Sequence, residues 1–384
     1  MGSCDSCGKG KGNQRPKGKG EDDDKKKIKN YIINQIINQT KSFYKPINNG
    51  TIADIKNTSY INAVLNSLAV LKYVNIWIRN INISLMQGAI VSKELYSLYW
   101  TLYTGFKPDS TNFILNYYNE LNKIYKLEKQ EDPYHFLFYL LDILHRENNI
   151  LNPGNGAHLL NYNIPINFKM DSSYMFDRFN NWFEQSQNSI ISNLFFNIMK
   201  NENISSNREK VYFYSYKYII KLDLDKIKAK KGKQNLTLDE SLEYYPKIDK
   251  NNKSFICKSA KILVIALIRQ HHSYICDLKF KEIINLKNYP ADPERSPEKY
   301  RYNLRTCISL NSLGDYFADL LINNLWFRFY KDEVVHVINI HENEPQILIY
   351  ELDEPNINNT DKNNMNKNIN DNINHNNNIL KKSG

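Results

Sequence analysis

The side chains best placed to do chemistry stand at the start of one helix-forming stretch, Thr51 to Leu71 (TIADIKNTSYINAVLNSLAVL). Asn57, Thr58 and Ser59 precede an apolar series at Ile61, Val64, Leu65, Leu68 and Leu71. That spacing predicts a helix packed on one face. Small polar residues at such a junction accept hydrogen bonds from the first free N–H groups of the helix. The positive end of the helix dipole there favours a thiolate or a developing oxyanion. Ser59 offers only a hydroxyl, a poor nucleophile unless a base takes its proton. His135 and His145 read as packing or surface residues, having no paired ligand nearby. His271 and His272 follow a strand end, with no derivable route to Ser59.

A second chemistry-bearing place is the N-terminus. Met-Gly-x-x-x-Ser, with Gly2 and Ser6 in place, fits the N-myristoylation rule. Cys4 is a site for a palmitoyl chain, and Lys9, Lys11, Arg15, Lys17 and Lys19 form a basic patch. One acyl chain binds membranes only marginally, so a second signal of this kind is what stable anchoring needs. The alternatives are an ordinary polar leader or a Met-Gly-Ser cloning remnant. Cys4 and Cys7 make half a zinc site without a second pair at ligand spacing, so no metal is expected.

The elements that must position these groups come from a chain of 384 residues, 41% hydrophobic and 12% aromatic, long enough to bury a large core. The net charge of +10 is uneven: residues 1–29 hold +4 and residues 355–384 hold +2. The remainder is an unremarkable surface, which argues for a basic tail and against a direct nucleic-acid groove. No apolar run reaches membrane-span length and no secretory signal is visible. Five scattered cysteines do not form a disulfide framework, which points to a reducing compartment. Asp132-Pro133 predicts a helix start, followed by Phe136, Leu137, Leu140, Leu141 and Leu144 on one face. A short helix is expected around Tyr31–Ile37, another near Lys93–Tyr103, and a strand over Tyr212–Leu224. KILVIALIRQ predicts a buried strand, and Tyr302 to Leu310 alternate as a half-buried one. The order is therefore a polar tail at 1–29, a folded unit at 30–354 and an Asn-rich low-complexity tail at 355–384.

Asn57-Thr58-Ser59-Tyr60-Ile61-Asn62-Ala63-Val64-Leu65-Asn66-Ser67-Leu68 resembles the cysteine box of the ubiquitin-specific proteases, N-T-C-Y-x-N-x-x-L-x-x-L, with Ser59 in the place of the nucleophilic Cys. Gln130 to His145 resembles the family's Q-x-D-A-x-E-F-L-x-x-L-L-D-x-L-H, with Pro133 for Ala and His135 for Glu. Ser189 to Asn197 resembles S-x-I-x-x-L-F-x-G, and Leu238–Tyr245 resembles the short L-x-x-x-L-x-x-Y helix. Gly314-Asp315-Tyr316 stands at the histidine box G-H-Y, and Trp326 to Tyr330 at W-x-x-F-D. The resemblance implies an α+β, papain-like fold with a helical thumb lobe and an antiparallel-sheet palm. The two C-x-x-C pairs of many relatives are missing and only Cys257 remains nearby, which implies shortened, zinc-free fingers.

Family chemistry uses a thiolate, an imidazole, a residue that orients the imidazole and an oxyanion donor. The resemblance places Ser59, Asp315, Tyr330 and Asp54 at those four positions, so all four have changed. It therefore implies a catalytically inactive member that holds ubiquitin, a ubiquitin-like protein or another partner. Ile55-Lys56, Tyr60 and Asn62-Ala63-Val64-Leu65 also resemble the inactive tri-snRNP-associated members, which leaves a spliceosomal scaffold with spliceosomal protein partners open. An active hydrolase with an unconventional site is the third reading. The corresponding locations are the cytoplasm, with or without an acylated tail on a membrane surface, or the nucleus.

Overall fold

The Ser59 helix lies at the centre of the molecule. The computed structural model describes residues 51–53, 55, 58–80, 88–125, 132–149, 172–204, 210–232, 235–247, 252–269, 278–286, 301–342 and 344–353. Gly2, Cys4, Asp54, His271, His272, the Tyr31–Ile37 segment and both tails lie outside the described residues.

Helices α1 (Ser59–Ala69), α2 (Lys72–Asn80), α3 (Ile90–Tyr103), α4 (Thr111–Tyr125), α5 (Pro133–Asn148), α6 (Ser172–Ser186) and α7 (Ile190–Phe195) come first. Next are β1 (Asn197–Ile204), β2 (Lys210–Lys217), β3 (Ile219–Asp223), α8 (Leu224–Lys231), β4 (Leu236–Thr237) and α9 (Leu238–Tyr244). The chain ends in β5 (Asn252–Lys258), β6 (Ile262–Ile268), β7 (Leu278–Lys279), β8 (Ile283–Asn285), β9 (Arg301–Leu310), β10 (Tyr316–Ile322), β11 (Leu325–Tyr330), β12 (Glu333–Val337) and β13 (Glu344–Leu352). An eight-stranded sheet runs β12-β11-β10-β9-β13-β6-β3, with β8 beside β9. A three-stranded sheet, β2-β1-β5, projects from it in sequence and is antiparallel throughout.

Every residue of α1 from Tyr60 to Ala69 is buried, so the expected one-faced helix is enclosed on all sides. The sheet covers one side, while Tyr99 and Tyr103 of α3 donate from the other to the carbonyls of Leu65 and Ala69. Asp132 caps α5 by accepting from the N–H groups of Tyr134 and His135, with Pro133 in the first turn as expected.

Two strand expectations need correction. Tyr212–Leu224 is two strands, β2 and β3, that part at Tyr218 and enter different sheets. β9 is buried on both faces over Thr306–Ser309, because helices pack on one side of the sheet and α8 and α9 on the other. The expected α+β fold with an antiparallel-sheet palm is present, and at the edge of that sheet β3 runs parallel to β6. Both faces of β6 are likewise covered, which is why ILVIALI is apolar without alternation.

On the three-stranded sheet, Cys257 is buried in β5. Among the described residues no group of three His, Cys, Asp or Glu is placed to hold a metal. An aromatic cluster packs against the sheet. Phe176 and Phe179 of α6 pack on Tyr214, and Phe183 packs on Tyr216 and Phe196. Tyr216 stacks on Phe196 with centroids 4.8 Å apart.

Candidate functional site

Ser59 occupies the first turn of α1 where that helix meets the start of β10. The Thr58 hydroxyl donates 2.6 Å back to the Ile55 carbonyl and caps nothing, contrary to the expected side-chain cap. The Ser59 Oγ accepts a hydrogen bond of 3.2 Å from the backbone N–H of Tyr316. Residues 59 and 316, 257 apart in sequence, are thus in direct contact. One turn on, the buried Asn62 amide donates to the Ala53 carbonyl, and the Ala53 N–H donates to the Pro108 carbonyl. The segment leading into Ser59 is thereby tied to the α3–α4 connection.

Asp315 precedes β10 in a tight turn. The Asn311 side chain accepts from the N–H groups of Leu313 and Asp315, both at 2.9 Å, and Gly314 adopts φ 84°. Few side chains tolerate that backbone angle, so glycine is required there. Asp315 Oδ2 accepts 2.8 Å from the Tyr330 hydroxyl and pairs with Lys331 Nζ at 3.3 Å. Hydrogen bonding to Tyr330 and Asp315 raises the Lys331 ammonium above its usual range, the opposite of what a lysine base needs. Burial, helped by the charge of Asp132, pushes the Tyr316 phenol up to about 12.

The structure therefore brings Ser59, Asp315 and Tyr330 to one place. Asp54 lies outside the described residues. The four described histidines are engaged elsewhere. His145 is buried between Ser189 and Gln187, His135 lies beside Asp132, His336 against Phe327 and His341 against Phe280. Burial lowers the His145 pKa, which keeps it a neutral packing residue. Lys331, Asn311, Lys107 and Asp332 were not legible as site residues. The one available signal was a charged Lys-Asp pair in the hairpin turn after the Trp-Phe-Arg-Phe-Tyr strand.

The arrangement offers a helix N-terminus, a hydroxyl and a carboxylate already satisfied by two donors. Among the described residues, no side chain bonded to Ser59 is suited to taking its proton at neutral pH.

No curated protein matches the sequence. The fold matches a solved SAGA Ubp8/Sgf11/Sus1/Sgf73 DUB module at 16% identity and TM-score 0.54, over 86% of this chain and 75% of that one. A yeast SAGA DUB module with an Sgf73 mutant matches at 16% and 0.54, over 80% and 67%. A Ubp8 module bound to monoubiquitin matches at 15% and 0.56, over 86% and 76%. Residues 51–350 match the family model described as ubiquitin carboxyl-terminal hydrolase. That match spans more than three quarters of the sequence, and the chain belongs to the ubiquitin carboxyl-terminal hydrolase family.

Proposed function

We propose that this chain uses the hydrolase fold as a scaffold that holds ubiquitin or a ubiquitin-like protein without cutting it. One observation carries the reading. Asp315, at the position of the general base, is committed to the Tyr330 hydroxyl and the Lys331 ammonium. A carboxylate so held is a weak acceptor for a serine proton, and loss of a member of a catalytic triad costs on the order of 10⁴–10⁶ in rate. The scaffold around it is kept, and a relative of the same fold is bound to monoubiquitin.

Two measurements test this. Titration of the full chain with ubiquitin is expected to show saturable binding; no binding at millimolar ubiquitin overturns the choice of partner. A fluorogenic ubiquitin amide is expected to remain uncut. Turnover that disappears in Ser59→Ala overturns the inactive assignment.

A further inference from the structure

Contacts around Ser59 close into a ring. Ser59 meets the Tyr316 N–H, and Asp315, the next residue back, pairs with Lys331. Asp332 follows Lys331 and pairs with Lys107 at 2.5 Å. Lys107 adjoins Pro108, whose carbonyl holds Ala53, whose own carbonyl holds Asn62 one turn beyond Ser59. The ring passes twice between the helices and the sheet, once at Ser59–Tyr316 and once at Lys107–Asp332. Two of its links are ion pairs open to solvent, with side-chain exposures of 45% and 56% for Lys107 and Asp332, and 47% and 34% for Lys331 and Asp315.

The hairpin that supplies two of these charges is strained. Tyr330 pairs with Glu333, so Lys331 and Asp332 form a two-residue turn, and Lys331 adopts φ 52°. The left-handed region is unfavourable for a side chain such as lysine, whose Cβ crowds the following carbonyl oxygen. The neighbouring turn places Asn323 and Asn324 at such angles, as is usual. At Lys331 the strained backbone sets adjacent residues on opposite tasks, the ammonium on Asp315 and the next carboxylate on Lys107.

We propose that the Lys107–Asp332 and Lys331–Asp315 pairs form an ionic strap between the α3–α4 connection and the β10–β12 side of the sheet, which limits access to residue 59 and loosens as salt rises. Exposed pairs contribute little individually and are screened by ions. The strap is therefore a weak, adjustable closure, opened by ionic strength or by a partner that replaces one of its charges.

The test needs no ubiquitin, so its outcome is separate from that of the partner proposal. In a Ser59→Cys background, the rate of alkylation at residue 59 by iodoacetamide is followed by peptide mass spectrometry. Cys257 and Cys307 are buried, and the peptide readout separates residue 59 from Cys4, Cys7 and Cys276. At low salt, Lys107→Ala and Asp332→Ala are each expected to accelerate alkylation about two- to fivefold. These variants change the local charge in opposite senses, so an effect on thiol pKa alone moves the two rates in opposite directions and overturns the strap. The double swap Lys107→Asp with Asp332→Lys is expected to restore slow alkylation. Salt is expected to speed the parent more than Asp332→Ala, which retains only the Lys331–Asp315 pair; equal salt responses overturn the strap. Lys226→Ala, which breaks the remote Lys226–Asp223 pair, serves as the control without effect.

Discussion

Rebuilding the reaction centre is the strongest probe of the proposed inactivity. The variant combines Ser59→Cys, Asp315→His and Tyr330→Asn. Geometry favours it, since the Ser59 Oγ already lies 3.2 Å from the Tyr316 N–H, one residue from position 315. The stability cost is modest. The Tyr330–Asp315 bond is charge-assisted, worth about 1.5–3 kcal/mol when buried. Asp315 is 34% exposed, so water replaces part of that and about 1 kcal/mol is lost. Losing the Lys331 pair, which is open to solvent and screened, adds little. A fold stable by about 5–15 kcal/mol survives such a change. Triad members act as a unit, with single losses on the order of 10⁴–10⁶. The triple variant is therefore expected to hydrolyse a fluorogenic ubiquitin amide at least about 10³-fold faster than Ser59→Cys alone. Circular dichroism and ubiquitin titration confirm that each variant is folded and competent. The reasoning is refuted if Ser59→Cys alone turns over as fast as the triple, or if a folded, binding-competent triple is no faster than Ser59→Cys.

Three further outcomes concern the scaffold. Asp142 is fully buried and receives the hydroxyls of Tyr125 and Tyr218 and the Arg146 Nε, so Asp142→Ala is expected to cost about 3–5 kcal/mol in urea unfolding and Tyr218→Phe about 1–2 kcal/mol. Phe179→Ala removes a 1%-exposed ring from the aromatic cluster on the three-stranded sheet and is expected to cost about 3–5 kcal/mol, with early loss of amide protection in β1 and β2. His145 has its pKa lowered by burial, so below the unfolded value near 6.5 the unfolded chain binds more protons than the native one. Its contribution is then fully present above about pH 6.5 and is lost as the pH falls toward the lowered native value. The urea midpoint should drop over that window, less so in His145→Gln.

The parts of the fold that were legible are those where local pattern and tertiary demand agree. Asp132-Pro133 marks the start of α5 because cap and fixed φ act within a few residues. ILVIALI reads as strand because burial on both faces leaves no polar position. α4 escaped notice because only Phe113, Tyr117 and Leu121 of its residues are buried, a stripe one side chain wide among asparagines. The break between β2 and β3 is equally silent, since TyrPheTyrSerTyrLysTyrIleIle carries strand-forming residues throughout. At the site, motif spacing singles out Ser59, Asp315 and Tyr330 but says nothing of their bonds, because the Lys331 contact depends on a left-handed turn that lysine does not announce.

Tyr218 is the single residue on which one sheet hands the chain to the other, with its ring 4.4 Å from that of Phe196 and its hydroxyl on Asp142. There is no slack at that crossing. Adding or deleting one residue there inverts the side-chain alternation on one side of it. Either Tyr214 and Tyr216 turn away from the α6 phenylalanines, or Ile220 and Leu222 leave the core beneath α8. Changes of chain length should therefore be tolerated far worse at residue 218 than in the two-residue turn at Asn323–Asn324.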